Sequence, residues 1–104
     1  MITANEARKL TNAKFANIHT SEGFKTLMVR IDHDIRKAID DGDTSYELTI
    51  GLLHTMANHK LPEGVKGNAV DLAVFWWTYV KPELIKYGFT IQNTITHGHY
   101  RICW

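Results

Sequence analysis

Residues 96–104 read Thr-His-Gly-His-Tyr-Arg-Ile-Cys-Trp. Two histidines, an arginine and the chain's one cysteine fall within this stretch, and these are types that ligate metals, move protons or act as nucleophiles. Spacing decides whether they act together. The segment alternates polar and apolar residues, which is a strand pattern, and successive strand side chains point to opposite faces. His99, Arg101 and Cys103 then share one face, and Tyr100, Ile102 and Trp104 share the other. His99 and Cys103 are four residues apart along an extended chain, roughly 13 Å. A tetrahedral zinc site needs about four ligands at close range. The stretch therefore reads as the last strand of a sheet, with a core face and a polar outer face, and no metal is expected there.

The other chemistry-bearing groups fail on spacing as well. Asp41-Gly42-Asp43-Thr44-Ser45 resembles the start of a calcium loop, but an EF-hand needs Gly at its sixth position and Glu at its twelfth, where this chain has Tyr46 and Leu52. His54 and His59 are five apart with Thr55 between them, whereas a zinc-binding HExxH helix needs histidines at i and i+4 with a glutamate after the first. His19 and the pair His33-Asp34 are similar to the two ends of a histidine-aspartate metal phosphohydrolase pattern, but that chemistry needs a larger helical domain, and His33 falls on the charged side of its helix. No GxSxG, P-loop or GxGxxG occurs. The sequence assigns no catalytic residue, no metal ligand and no cofactor, and the chain reads as a non-enzyme.

The frame for these residues is one small domain spanning 1–104. Hydrophobic residues make up 44%, enough for a single core of modest size. The formal charge is +1 and the basic residues are scattered, with Arg8-Lys9 and Arg36-Lys37 the densest pairs. That balance argues against a strongly basic nucleic-acid binder and against an acidic disordered tail. Cys103 cannot form an intrachain disulfide, so a reducing, cytoplasmic setting is expected. Met1 to Lys9 lacks the apolar core of a signal peptide, and the longest apolar run, residues 72–77, is too short to span a bilayer.

Thr3 to Glu6 forms a capping-box pattern, which opens a helix to about residue 17 with Ala7, Leu10, Ala13 and Phe15 or Ile18 inward. Phe24, Leu27, Met28, Ile31, Ile35, Ala38 and Ile39 recur at three- and four-residue steps, predicting an amphipathic helix over 22–41 that leaves through Gly42. Alternation predicts strands near 45–52, 88–95 and 99–104, the last two a hairpin reversing near His97-Gly98. Residues 53–60 suit a short helix, and Asn68 caps another over 69–80, after which Pro82 kinks or ends it and can open a last turn, residues 82–87, that Gly88 caps. The fold class is α+β: helices, one of them central and apolar, packed on a three-stranded, mainly antiparallel sheet. A winged helix also fits, with helices 22–41, 53–60 and 68–80 and a wing over 88–104. Its recognition helix should then carry Arg, Lys, Asn or Gln toward the bases, and residues 69–80 carry none.

The pair Trp76-Trp77 stands out. Adjacent helical residues point about 100° apart, so the two indoles cannot enter one pocket. With Phe75 and Tyr79 they cover most of the helix, and some of these four rings are expected on the surface as an interface between copies. Lys81 and Arg101 are candidate ligand-binding residues if a nucleotide or other small molecule binds between subunits.

The opening Thr3 to Thr11 (T-A-x-E-A-R-x-L-T), the charged helix end Ile31 to Gly42, Leu84 to Phe89 (L-x-x-Y-G-F) and the closing Tyr100 to Trp104 together resemble small accessory proteins of tailed bacteriophages. The resemblance covers both ends of the chain; residues 53–67 and the tryptophan pair depart from it. It implies a phage origin and expression in the cytoplasm of a bacterial host. It also implies action by binding a host or phage protein, a nucleotide signal or nucleic acid. The expected partners are a second copy and an unidentified protein, with neither nucleic acid nor membrane favoured.

Overall fold

The computed structural model describes residues 1–15, 18–62, 64–95 and 98–104, and the side chains of 11–15 and 19 lie outside the description. Helix α1 (Ala4–Phe15) starts as the capping pattern requires, with the Glu6 amide donating to Thr3 Oγ1 at 3.2 Å. Ala7 and Leu10, expected inward, are exposed, as is every residue from 1 to 10. Ala13 and Phe15, also expected inward, lie outside the described side chains. Ile18, in a short 3₁₀ turn after the helix, is buried instead.

Helix α2 (Glu22–Asp40) carries the core stripe. Ser21 Oγ accepts the Phe24 amide, and Gly23 lets the helix start press on the 57–61 loop: a Cβ there would sit on the Lys60 carbonyl oxygen. Phe24, Leu27, Ile31, Ile35 and Ala38 are buried, while Ile39, expected among them, is exposed beside the helix exit. That exit is a Schellman turn. The Gly42 amide donates to Ile39, the Asp43 amide to Ala38, and Gly42 takes φ 84°. The aspartates that resembled a calcium loop are thus residues of a helix C-terminus.

Strand β1 (Ser45–Thr49) gives way to a 3₁₀ turn at Ile50–Leu52, so the alternation stops early and Leu52 is exposed. A four-residue helix α3 (Leu53–Met56) follows. Asn68 caps helix α4 (Ala69–Phe75) by accepting the Asp71 amide at 2.9 Å. The chain then passes through a π turn (Trp76–Val80) into α5 (Lys81–Lys86). Pro82 sits in the first turn of α5, the place the sequence offers it, and the helix continues through it. A proline ring collides with the carbonyl four residues back and offers no N–H. The wide turn just before it, closed by the Lys81 amide on the Trp76 carbonyl, relieves that collision. Gly88 (φ 93°) ends α5 in a second Schellman turn.

Strands β2 (Thr90–Asn93) and β3 (His99–Cys103) complete an antiparallel sheet of order β1-β3-β2. The last two segments pair as the alternation predicted, with Ile91 opposite Ile102. Ile95 falls outside the strand and is exposed, and the expected reversal at His97 lies outside the described residues. The fold is α+β, with helices on the sheet face that carries Leu48 and Ile102. From α2 onward the element order is the one expected for a winged helix.

One polar contact ties α2 to the sheet. The Tyr46 hydroxyl donates to Asp34 Oδ2 at 2.8 Å, and Asp34 also accepts from Arg30. Burial, then the Asp34 hydrogen bond and charge, raise the Tyr46 phenol well above its ordinary 10.0. A phenol that ionises later in the folded chain than in the unfolded one adds stability below the ordinary value, and that stability falls as pH rises beyond it. Urea unfolding should therefore show wild type losing stability above pH 10.0. Tyr46→Phe should lack that component of the loss and cost about 1 kcal/mol at neutral pH.

Candidate interaction surface

The two tryptophans part as helical geometry demands. Trp76 is 0% exposed and Trp77 is 52% exposed. Trp76 stacks on Tyr100 of the central strand, with ring centroids 4.8 Å apart and planes at 29°. Among the described residues its buried indole Nε1–H finds no acceptor, a cost of about 1–3 kcal/mol. Removing roughly 200 Å² of ring from water contributes on the order of 5 kcal/mol, so burial wins. Phe75 is also buried, edge-on to Phe24 of α2 at 6.3 Å. Tyr79 is half-buried, 6.1 Å from the Phe75 ring, and its phenol is raised by burial.

Of the four aromatics expected as interface residues, Phe75 and Trp76 are therefore core, and Trp77 is the exposed one. Residues that the aromatic pattern passed over stand beside it. Val70 is 73% exposed, Val74 56% and Ile85 51%. With Lys81 they form a stripe at 70, 74, 77, 81 and 85 on the outer side of α4–α5. The readable signal was the alternation of three- and four-residue steps around Trp77, which the surrounding inward apolar residues concealed. Lys81 Nζ sits 3.9 Å from the Trp77 ring centroid, a cation–π contact that also lays the lysine stem along the stripe. A groove of about 530 Å³ flanks Trp77, lined by Thr49, Ala69, Ala73 and Tyr100 among others.

The opening cluster resolves into a sheet surface. His99 Nδ1 lies 3.0 Å from Glu47 Oε1, and Arg101 stands across from Glu47 on one side and Gln92 on the other. Cys103 pairs in register with Ser45 and Thr90. Lys81 and Arg101 do not converge: one is over Trp77 on the helical layer, the other on the opposite face of the sheet. His33 is exposed, and Asp34 is engaged with Tyr46 and Arg30. His54 and His59 do meet, with ring centroids 4.6 Å apart. Counting along an α-helix could not find this pair, because Asn58 and His59 turn back at φ 59° each. Among the described residues no group of three or more His, Cys, Asp or Glu is placed to hold a metal ion. Among them, too, no helix is long and apolar enough to cross a membrane.

No protein-family model, curated protein or solved structure matches this chain.

Trp76→Ala should destabilise the fold by about 3–5 kcal/mol, since it opens a cavity between helix and sheet. Trp77→Ala should change it by less than about 1 kcal/mol. Urea denaturation of both variants at low protein concentration checks this, and equal losses would contradict the division.

Proposed function

We propose that the protein is a non-enzymatic interaction module that binds another protein through the outer face of α4–α5. In keeping with the resemblance at its two ends, it is a phage-type accessory protein acting in the cytoplasm of a bacterial host. The observation that carries the reading is Trp77 exposed between Val70, Val74 and Ile85. Tryptophan is among the strongest interface anchors, because a large rigid ring loses little entropy when covered. Exposed aliphatic groups at helical spacing around it match the helix-face mode of protein recognition.

The winged-helix element order favours a second reading, nucleic-acid binding. In that fold the third helix enters the major groove with polar and basic side chains on its outer side. Here that side carries valine and tryptophan, with Lys81 turned onto the indole. A helix face of this composition offers almost nothing to base edges and loses apolar burial in a hydrated groove. Protein binding is the better account of the same surface. The nucleotide reading has less support, since Lys81 and Arg101 lie on different faces.

The test compares capture, by the immobilised protein and two variants, from a bacterial lysate that also contains an epitope-tagged copy of the protein. Trp77→Ala should reduce the retained partner by about tenfold or more, and Arg101→Ala, on the sheet's outer face, should not. Equal loss in both variants, or submicromolar binding of duplex DNA at physiological salt by wild type, would overturn the proposal.

A further inference from the structure

We infer that the occupant of the α4–α5 face is a second copy of the same face, packed antiparallel with the two-fold axis between Trp77 and Thr78. The inference rests on the interaction reading above and names the partner. Three features support it.

The first is the arrangement of the stripe. Val70 and Val74 precede Trp77, and Lys81 and Ile85 follow it, so positions 70, 74, 81 and 85 are symmetric about the midpoint of Trp77 and Thr78. Reversed on itself about that axis, Val70 meets the partner copy's Ile85, Val74 meets the stem of the partner copy's Lys81, and the two indoles lie at the centre. A surface complementary to its own reverse is what an isologous dimer needs. The steps from 70 to 81 are those of a coiled-coil seam, and the π turn carries the seam past Pro82 to Ile85.

The second is charge. Lys81 is the one charged residue of the stripe. An acidic or basic target would find little to recognise. In the antiparallel pair the two Lys81 positions are separated by about 10 Å along the axis, near one Debye length, so their repulsion is small. A parallel pair would set them side by side.

The third is area. The stripe runs about 22 Å. Two such faces, with their flanking polar atoms, remove on the order of 1,000 Å² from water, at the threshold for a specific interface. An interface at this threshold suits a reversible pair rather than an obligate one.

Cysteine cross-linking reads the geometry, with Cys103→Ser as background. Thr78→Cys, next to the axis, should oxidise to a covalent dimer on its own. Val70→Cys and Ile85→Cys should each remain uncross-linked alone and join when mixed. Val70→Cys joining to itself would mean a parallel pair and would overturn the inference. Sedimentation should show wild type exceeding the 11.9 kDa chain mass at tens of micromolar. Val74→Glu, an exposed position whose circular dichroism should not change, should return it to monomer. A monomer at all concentrations for wild type overturns the dimer. If Trp77→Ala still abolishes lysate capture in that case, the interaction reading survives; if it does not, both fall.

Discussion

Trp76 against Tyr100 is the contact on which the rest of this molecule depends. It presses the longest helical segment after α2 onto the central strand, whose other neighbours are β1 and β2. Once that indole is inside, the next residue must leave the core, because the helix turns about 100° per residue. Trp77 is thus placed on the surface by its neighbour's burial. The π turn extends the consequence. A plain α-helix would break or kink at Pro82, and the outer face would stop near residue 78. With a wide turn before the proline the helix runs on through Lys86, and Ile85 joins Val70 and Val74 on one side.

Much of this was readable in advance because it follows from local rules. The capping residues Thr3, Ser21 and Asn68 and the exit glycines Gly42 and Gly88 act within a turn of themselves, and each sits where its chemistry demands. The face assignment of β3 holds for Ile102, which is buried, and Arg101, which is exposed, whereas Trp104, expected on the core face, lies past the strand end and is 42% exposed, edge-on to Phe89. What resisted reading depended on where the core ends. Alternation in residues 45–53 continues in the sequence past Thr49, but a 3₁₀ turn replaces the strand and turns Leu52 outward. Ile39 and Leu10 fit helical stripes and are still exposed, because among the described residues no element covers those positions closely. The meeting of His54 and His59 required two left-handed residues that spacing does not reveal.

The surface carries the same lesson for function. Sequence counting placed chemistry in residues 96–104 and then removed it by strand geometry. The structure assigns His99 to Glu47 and Arg101 to a cross-strand neighbourhood of Glu47 and Gln92. The unusual feature is apolar, and it occupies the helix that a DNA-reading winged helix would arm with polar groups. An element order shared with winged helices thus comes with an apolar outer face on α4–α5, and fold order alone does not say what that face meets.

Hydrogen exchange at the three indole N–H groups, followed by nuclear magnetic resonance, tests the central claim most directly, that burial of Trp76 forces Trp77 outward. In dilute protein the Trp76 Nε1–H should exchange slowly, near the rate set by global unfolding, and the Trp77 Nε1–H should exchange at close to the free rate. Fast exchange at Trp76, or equal protection of both indoles in a dilute monomer, would contradict it.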